Sequence, residues 1–289
     1  MSEKLIELAS GHHIWTKMID GGPGFPILIV HGGPGAGHDY LESYEVLSKD
    51  RPVIFYDQLG CGRSDHPDNL SLWTIERFAD EVAEVRAALG LSQCHILGSS
   101  WGGFVTIEYL VRRPPGIRSA TLASTSASIQ QITSCFPEMF RTLSDEDQSA
   151  LATHIAAGTF SHPAFQLATM HFYQKYLCRI DPFPDCILRT AANSDRSPTV
   201  VPMTGPTEFN FLSNLRYWTR VPDLGRINVP TLVTCGRYDY LAAPNSETLA
   251  TGIAGAKFVM FENSSHCSHL EEPEANMPCV SGFLAENDP

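Results

Sequence analysis

The sequence predicts an α/β protein in which a mostly parallel sheet carries helices on both faces. Three observations lead there: short β-rich apolar runs alternate with stretches of helical periodicity, the runs end in glycine-rich turns, and one long late segment drops the strands altogether. Residues 5–8 and 14–18, separated by Ser10-Gly11, read as an opening antiparallel pair. Residues 27–30 and 53–56 read as buried strands that run straight into loops of glycine and polar residues. From Thr74 to Gly90 the apolar residues Ile75, Phe78, Ala79, Val82, Val85 and Leu89 follow helical spacing, with Thr74 as N-cap and Gly90 as the stop. Residues 94–97 form a short apolar strand ending at Gly98, and a helix over 101–111 closes before Pro114-Pro115. Strands over 119–123, 231–235 and 258–261 and a C-terminal helix near 273–284 complete the alternation.

Residues 125–222 break this rhythm, with helical patterns over 136–151 and 165–177, several prolines and no clear strand. The expected organisation is therefore a core in two parts, 1–124 and 223–289, interrupted by a helical cap insertion over 125–222. An insertion placed over strand C-termini covers the position where open α/β sheets bind their ligands.

Composition narrows the function. The 20 Lys and Arg against 32 Asp and Glu give a net charge of −12, which repels a phosphate backbone and argues against nucleic acid as a partner. The longest apolar stretches, such as 27–30 and 87–89, fall far short of the roughly 18 residues of a membrane span, and nothing near Met1 resembles a signal peptide. A cytoplasmic protein with no membrane partner is expected. The 8 cysteines contain no C-x-x-C pair, so neither a zinc site nor a redox dithiol is signalled, and no metal or cofactor is expected.

Gly98-Ser99-Ser100-Trp101-Gly102 fits G-x-S-x-G between a predicted strand and a predicted helix, the context a nucleophile elbow requires. Alone, the pattern is also an ordinary glycine-serine turn. A serine hydroxyl becomes nucleophilic when a base takes its proton, and the base must be held in one tautomer by a carboxylate. In the α/β-hydrolase fold these follow in the order Ser, acid, His. Asp239 and His266 each lie just beyond a predicted strand end and meet that order; Asp223 is an alternative acid and His269 an alternative base. His266 is favoured because it follows its strand sooner and because Glu271 and Pro273 complete an H-x-x-x-x-E-x-P spacing. His31-Gly32-Gly33-Pro34-Gly35 directly follows the strand over 27–30, where a second oxyanion donor is expected; the backbone N–H groups of Gly33 and Trp101 are the candidates.

These motifs, with Tyr56-Asp57-Gln58-Leu59-Gly60-Cys61-Gly62-Arg63-Ser64, Gly236-Arg237-Tyr238-Asp239 and Ser265-His266, resemble the proline iminopeptidases and amino-acid amidases of the α/β-hydrolase fold. The resemblance runs from the first third of the chain to its end. It implies that Asp57 and Arg63 stabilise their loop and that acidic side chains bind the ammonium group of a substrate with a free N-terminus. Pro206-Thr207-Glu208-Phe209-Asn210 is similar to the segment that supplies one such acid, which makes Glu208 the candidate amine anchor. Relatives often place a second acid directly after the triad aspartate, where this chain has Tyr240.

The expected function is a serine hydrolase that cleaves the amide bond after a free N-terminal amino acid through an acyl-enzyme, acting on a small molecule or short peptide. Phe136, Phe140 and Trp218 are candidates to line its apolar pocket. Two other readings stand beside it: an amidase or esterase of a small metabolite without free-amine recognition, which Tyr240 favours, and a catalytically silent binding protein of the same fold.

Overall fold

The computed structural model describes residues 1–241 and 243–288. Among them eight strands form one sheet in the order β1-β2-β4-β3-β5-β6-β7-β8. The strands are β1 (Ser2–Glu7), β2 (His13–Ile19), β3 (Ile27–Val30), β4 (Val53–Tyr56), β5 (Cys94–Ser99), β6 (Ile117–Ala123), β7 (Thr231–Gly236) and β8 (Lys257–Phe261). β1 and β2 pair antiparallel, β2 joins β4 antiparallel, and every other pairing is parallel.

Alternation of side chains along the central strands builds two cores from one sheet. Leu28, Val30, Ile54 and Tyr56 face one hydrophobic layer, while Ile27, Ile29, Val53 and Phe55 face the other. Because both faces are covered, β3 and β4 are apolar at every position, as parallel strands buried on both sides must be.

The first layer is made by α1 (Ile75–Ala88) and α2 (Trp101–Leu110). Thr74 caps α1 by accepting from the Arg77 N–H at 3.4 Å, and Gly90 at φ +68° ends it, as the sequence indicates. On the opposite layer lie a 3-10 helix over Asp39–Lys49 and, at the C-terminus, α10 (Pro273–Glu286). α8 (Ala243–Gly252) and the single turn α9 (Ser268–Glu271) follow β7 and β8.

Between β6 and β7 come α3 (Ile129–Phe140), α4 (Asp145–Ala157), α5 (Pro163–Tyr176), α6 (Asp185–Arg196) and the short α7 (Val200–Thr204). The single helix expected over 136–151 is two. Ser144 accepts from the Asp147 N–H at 3.1 Å and starts α4, with Asp145, Glu146 and Asp147 set against the positive end of the new helix. These helices are held together by edge-to-face rings: Phe136, Phe140 and Phe172 surround Phe209 with centroids 5.1–5.5 Å away.

Charged contacts fasten this helical segment to the core. Arg189 on α6 reaches Asp39 at 2.8 Å and Glu42, and Asn193 reaches Asp39 at 2.8 Å. At its far end Arg220 forks onto Glu108 of α2, with bonds of 2.6 and 2.8 Å. Glu108 is nearly inaccessible, and the Arg220 bonds, helped by the Trp218 indole, outweigh its burial and hold its carboxyl below the usual range. Among the described residues, no helix is long and apolar enough to cross a membrane. Arg220→Ala leaves the Glu108 charge with only the Arg112 guanidinium at 3.6 Å and the Trp218 indole, so it should destabilise the fold by about 3 kcal/mol, read as a lower urea midpoint at unchanged slope; adding Glu108→Gln should recover part of that loss.

Candidate active site

The chain leaves β3 for β4 on one side and returns across it to β5 on the other, so the loops after β3 and β5 diverge from neighbouring strands at a switch point. Val30 and Gly98 are register partners there. Ser100 sits in the turn between β5 and α2 at φ 57°, ψ −124°, a backbone conformation that costs a non-glycine residue about 1–3 kcal/mol. Two residues to either side, only glycine fits. A Cβ on Gly98 would lie 2.4 Å from Thr106 Oγ1, and one on Gly102 would lie 2.0 Å from the Val30 carbonyl oxygen. The Ser100 N–H donates to the Ala123 carbonyl at 3.0 Å, and its carbonyl accepts from Thr125 Oγ1 at 2.8 Å, which fixes the strained turn from the β6 side.

Asp239 follows β7 and His266 follows β8, and the structure brings them together: His266 Nδ1 lies 2.7 Å from Asp239 Oδ1. The Leu241 N–H donates to the same carboxylate oxygen at 2.9 Å, holding it in orientation. Ser100, Asp239 and His266 are all buried. The His266 segment is held at several points. Ser124 Oγ donates to the His266 carbonyl at 2.8 Å, the His266 N–H donates to Tyr176 O at 3.2 Å, and Glu271 accepts from both the N–H and the hydroxyl of Ser265. The spacing from His266 to Glu271 thus has a physical meaning: the glutamate ties down the residue before the histidine.

The alternatives are elsewhere. His269 donates from Nε2 to the Tyr40 carbonyl at 2.8 Å and stacks on Tyr44 at 5.2 Å, and burial lowers its pKa to about 4. It is a neutral core histidine. Asp223 is paired with Arg220 at 3.2 Å and Arg226 at 3.6 Å.

Gly33, at φ +121°, follows β3 and borders the same cavity as Ser100. Trp101 opens α2, where a backbone N–H has no partner inside its own helix. The loop that carries Gly33 is pinned by Tyr40, whose hydroxyl accepts from the Gly32 N–H at 2.9 Å and donates to Ser99 Oγ at 3.0 Å. Asp57 pins the neighbouring loop, accepting from the His38 and Arg63 N–H groups at 2.9 Å each and lying 2.8 Å from His38 Nδ1. Arg63 lies over the Trp15 ring at 4.6 Å and bonds Glu3 at 3.2 Å, so both residues stabilise their loop.

A cavity of about 480 Å³ lies between the switch point and the helical segment and is bordered by Gly33, Tyr40, Ser100, Tyr173, Glu208, Tyr240 and His266. The Tyr173 hydroxyl donates to Glu208 Oε1 at 2.5 Å. Tyr240 borders the same cavity, and its ring lies 4.4 Å from that of His266. Burial pushes the Glu208 carboxyl upward, opposed by the Tyr173 bond, by His266 and by Tyr240. Burial likewise raises Tyr173 and Tyr240, so both phenols are neutral donors. The pocket expectation needs correction. Phe136 and Phe140 pack inside the ring cluster around Phe209, and Trp218 stacks on Phe104 at 5.0 Å, so the apolar wall comes instead from Phe165, Met170, Leu177, Phe183, Ile187 and Leu188.

Comparison with known proteins places this geometry. The family profile described as the alpha/beta hydrolase fold matches residues 26–273. A proline iminopeptidase of Heyndrickxia coagulans is 32% identical over 283 residues, covering 98% of each chain. The chain belongs to the α/β-hydrolases, among the proline iminopeptidases. The crystal structure of the proline iminopeptidase of Mycobacterium smegmatis shares 33% identity at a TM-score of 0.93, and that of VinJ 31% at 0.94, each covering 99% of both chains.

Several supports of this α/β-hydrolase site escaped the sequence reading: Tyr40, Ser124 and Tyr173 make no local motif, and each acts on a residue distant along the chain. His269 gives a test of the burial argument. Its folded pKa near 4 lies below the ordinary 6.5, so the unfolded chain takes up a proton between those values that the folded one refuses. The stability His269 provides is therefore complete above pH 6.5 and falls as pH drops toward 4. The stability advantage of the wild type over His269→Gln should narrow by on the order of 2–3 kcal/mol between pH 7 and pH 4.5, measured by urea unfolding at each pH.

Proposed function

We propose that this α/β-hydrolase is a serine hydrolase that removes an N-terminal amino acid from an amide, binding the substrate's free ammonium group at Glu208. The observation that carries the reading is a single cavity that joins Ser100 and His266 to a half-buried carboxylate braced by Tyr173. The relatives' printed name, proline iminopeptidase, agrees with it.

In this reading Ser100 Oγ attacks the substrate carbonyl while His266 takes its proton, and Asp239 holds the imidazole in the tautomer that accepts at Nε2. The N–H groups of Gly33 and Trp101 receive the oxyanion. His266 returns the proton to the leaving amine, the acyl-enzyme forms, and water repeats the sequence to release the amino acid. A substrate α-amine, with an ordinary pKa near 8, is cationic at neutral pH; its approach to Glu208 favours the ionised carboxylate that burial alone disfavours. Residues 125–222 act as a cap that restricts the site to small or short substrates. Eight unpaired cysteines suit a reducing, cytoplasmic setting.

Tyr240 favours a second reading, because a phenol accepts a hydrogen bond from an ammonium but supplies no charge. An amidase or esterase indifferent to the α-amine would need Tyr240 and Tyr173 only as donors.

Hydrolysis of aminoacyl chromogenic amides, prolyl included, with free and acetylated α-amines and a short-chain ester, decides between them. Expected are turnover of free-amine substrates only and loss of about 10⁶-fold in kcat for Ser100→Ala. Glu208→Gln keeps the size but removes the charge, and should weaken kcat/KM for free-amine substrates by about 10- to 100-fold. Equal rates on acetylated substrates assign the second reading. Asp239→Asn should lower kcat by about 10⁴-fold with little change in KM.

A further inference from the structure

Gln58, in the loop after β4, is completely buried and all of its side-chain polar atoms are engaged. Its Nε2 donates to the His31 carbonyl at 2.7 Å, its Oε1 accepts from the Trp101 indole Nε1–H at 2.9 Å, and its backbone N–H donates to His31 Nε2 at 2.9 Å. The orientation of the amide is fixed by its neighbours, since a carbonyl can only accept and an indole N–H can only donate. The tautomer of His31 is fixed the same way: Nε2 accepts, so Nδ1 carries the proton and donates to the Gly32 carbonyl at 2.8 Å. Burial, which lowers the His31 pKa to about 4, keeps that ring neutral.

These bonds connect the loop after β3 to the first turn of α2, just beyond the end of the β3–β5 ladder at Val30 and Gly98. His31 lies two residues before Gly33, and Trp101 is itself the second oxyanion donor. The indole ring is immobilised on its other sides by Phe78 at 5.5 Å and Phe104 at 6.1 Å, both edge to face. An oxyanion hole is effective only when its donors are already in place, within about 0.5 Å of the required geometry. The Gly33 loop is rich in glycine and has little stiffness of its own, so its position comes from external braces: Tyr40 joins Gly32 to Ser99, and Gln58 joins His31 to Trp101, the residue that opens α2.

We propose that Gln58 is a positioning residue that bridges the Gly33 loop to Trp101 and so holds the two oxyanion donors at a fixed separation. The proposal rests on the serine-hydrolase reading above and goes beyond it by naming what sets the geometry of the hole. Gln58 touches neither substrate nor the reacting atoms. Its effect is felt in the transition state, where charge develops on the carbonyl oxygen, and not in the binding of the substrate's amine.

The test compares an aminoalkyl boronic acid, whose tetrahedral adduct on Ser100 places an oxygen in the hole, with the corresponding free amino acid, which is the product. Kinetics are normalised to folded protein by circular dichroism. Gln58→Leu should lower kcat by about 100-fold, leave KM within about 3-fold, and weaken the boronate in proportion to kcat while the product binds as before. Trp101→Phe removes the indole N–H together with the five-membered ring but keeps an aromatic ring against Phe78 and Phe104, and should give the same pattern at about 10-fold. The double variant should be no worse than Gln58→Leu, because both break one bridge. The brace is overturned if boronate and product weaken together, or if both variants retain wild-type kcat. If Gln58→Leu fails to fold, Trp101→Phe decides by the same criterion. Boronate inhibition of the wild type with unaffected variants overturns the brace alone; activity that survives Ser100→Ala overturns the serine-hydrolase reading and the brace with it.

Discussion

The structure depends on a close approach at one point of the sheet, where the turn after β5 passes directly beneath the end of β3. Gly102 lies against the Val30 carbonyl so tightly that no side chain can stand there. This contact forces the strained conformation of Ser100 and places the loop after β3 alongside the first turn of α2. A serine lifted out of the strand, a glycine loop beside it and a helix N-terminus with unpaired N–H groups are all consequences of that one crossing.

Strain of this kind persists only when the surroundings over-determine it. Here each loop that meets at the strand ends is bonded to another: Thr125 to the Ser100 carbonyl, Ser124 to the His266 carbonyl, Tyr40 to Ser99, and Gln58 to both His31 and Trp101. Most of these bonds are buried, where a hydrogen bond is stronger and a missing one is costly. The site is therefore a set of loops held by side chains from their neighbours, with the sheet supplying only the starting positions.

The helical segment adds what the core lacks. It contributes Glu208, Tyr173 and Asp195 to a cavity to which the core adds Tyr40, Ser100, Tyr240 and His266, and the phenylalanines packed on Phe209 fix the segment that carries Glu208. The carboxylates of Glu208 and Asp195 and the neutral phenols of Tyr40, Tyr173 and Tyr240 line the cavity that holds Ser100. Under the proposed function, Glu208 supplies the negative charge that a substrate amine would meet in this cavity.

The sequence by itself determined the alternating architecture, the elbow around Ser100, the order Ser, Asp, His and the glycine loop at Gly33, because each is encoded in a few adjacent residues with a strong steric or periodic signature. It favoured His266 but left His269 open as the base. The two lie three residues apart, and only the packing of the loop after β8 turns one toward Asp239 and the other into the aromatic core beside Tyr44. The break at Ser144 was readable as a cap followed by acids, but periodicity across it hid the boundary. Tertiary structure alone paired Glu208 with Tyr173, moved Phe136, Phe140 and Trp218 from the pocket wall into the packing behind it, and joined Gln58 to Trp101. Those contacts link residues from 35 to more than 100 positions apart, and no local pattern records which distant side chain a buried polar atom will find.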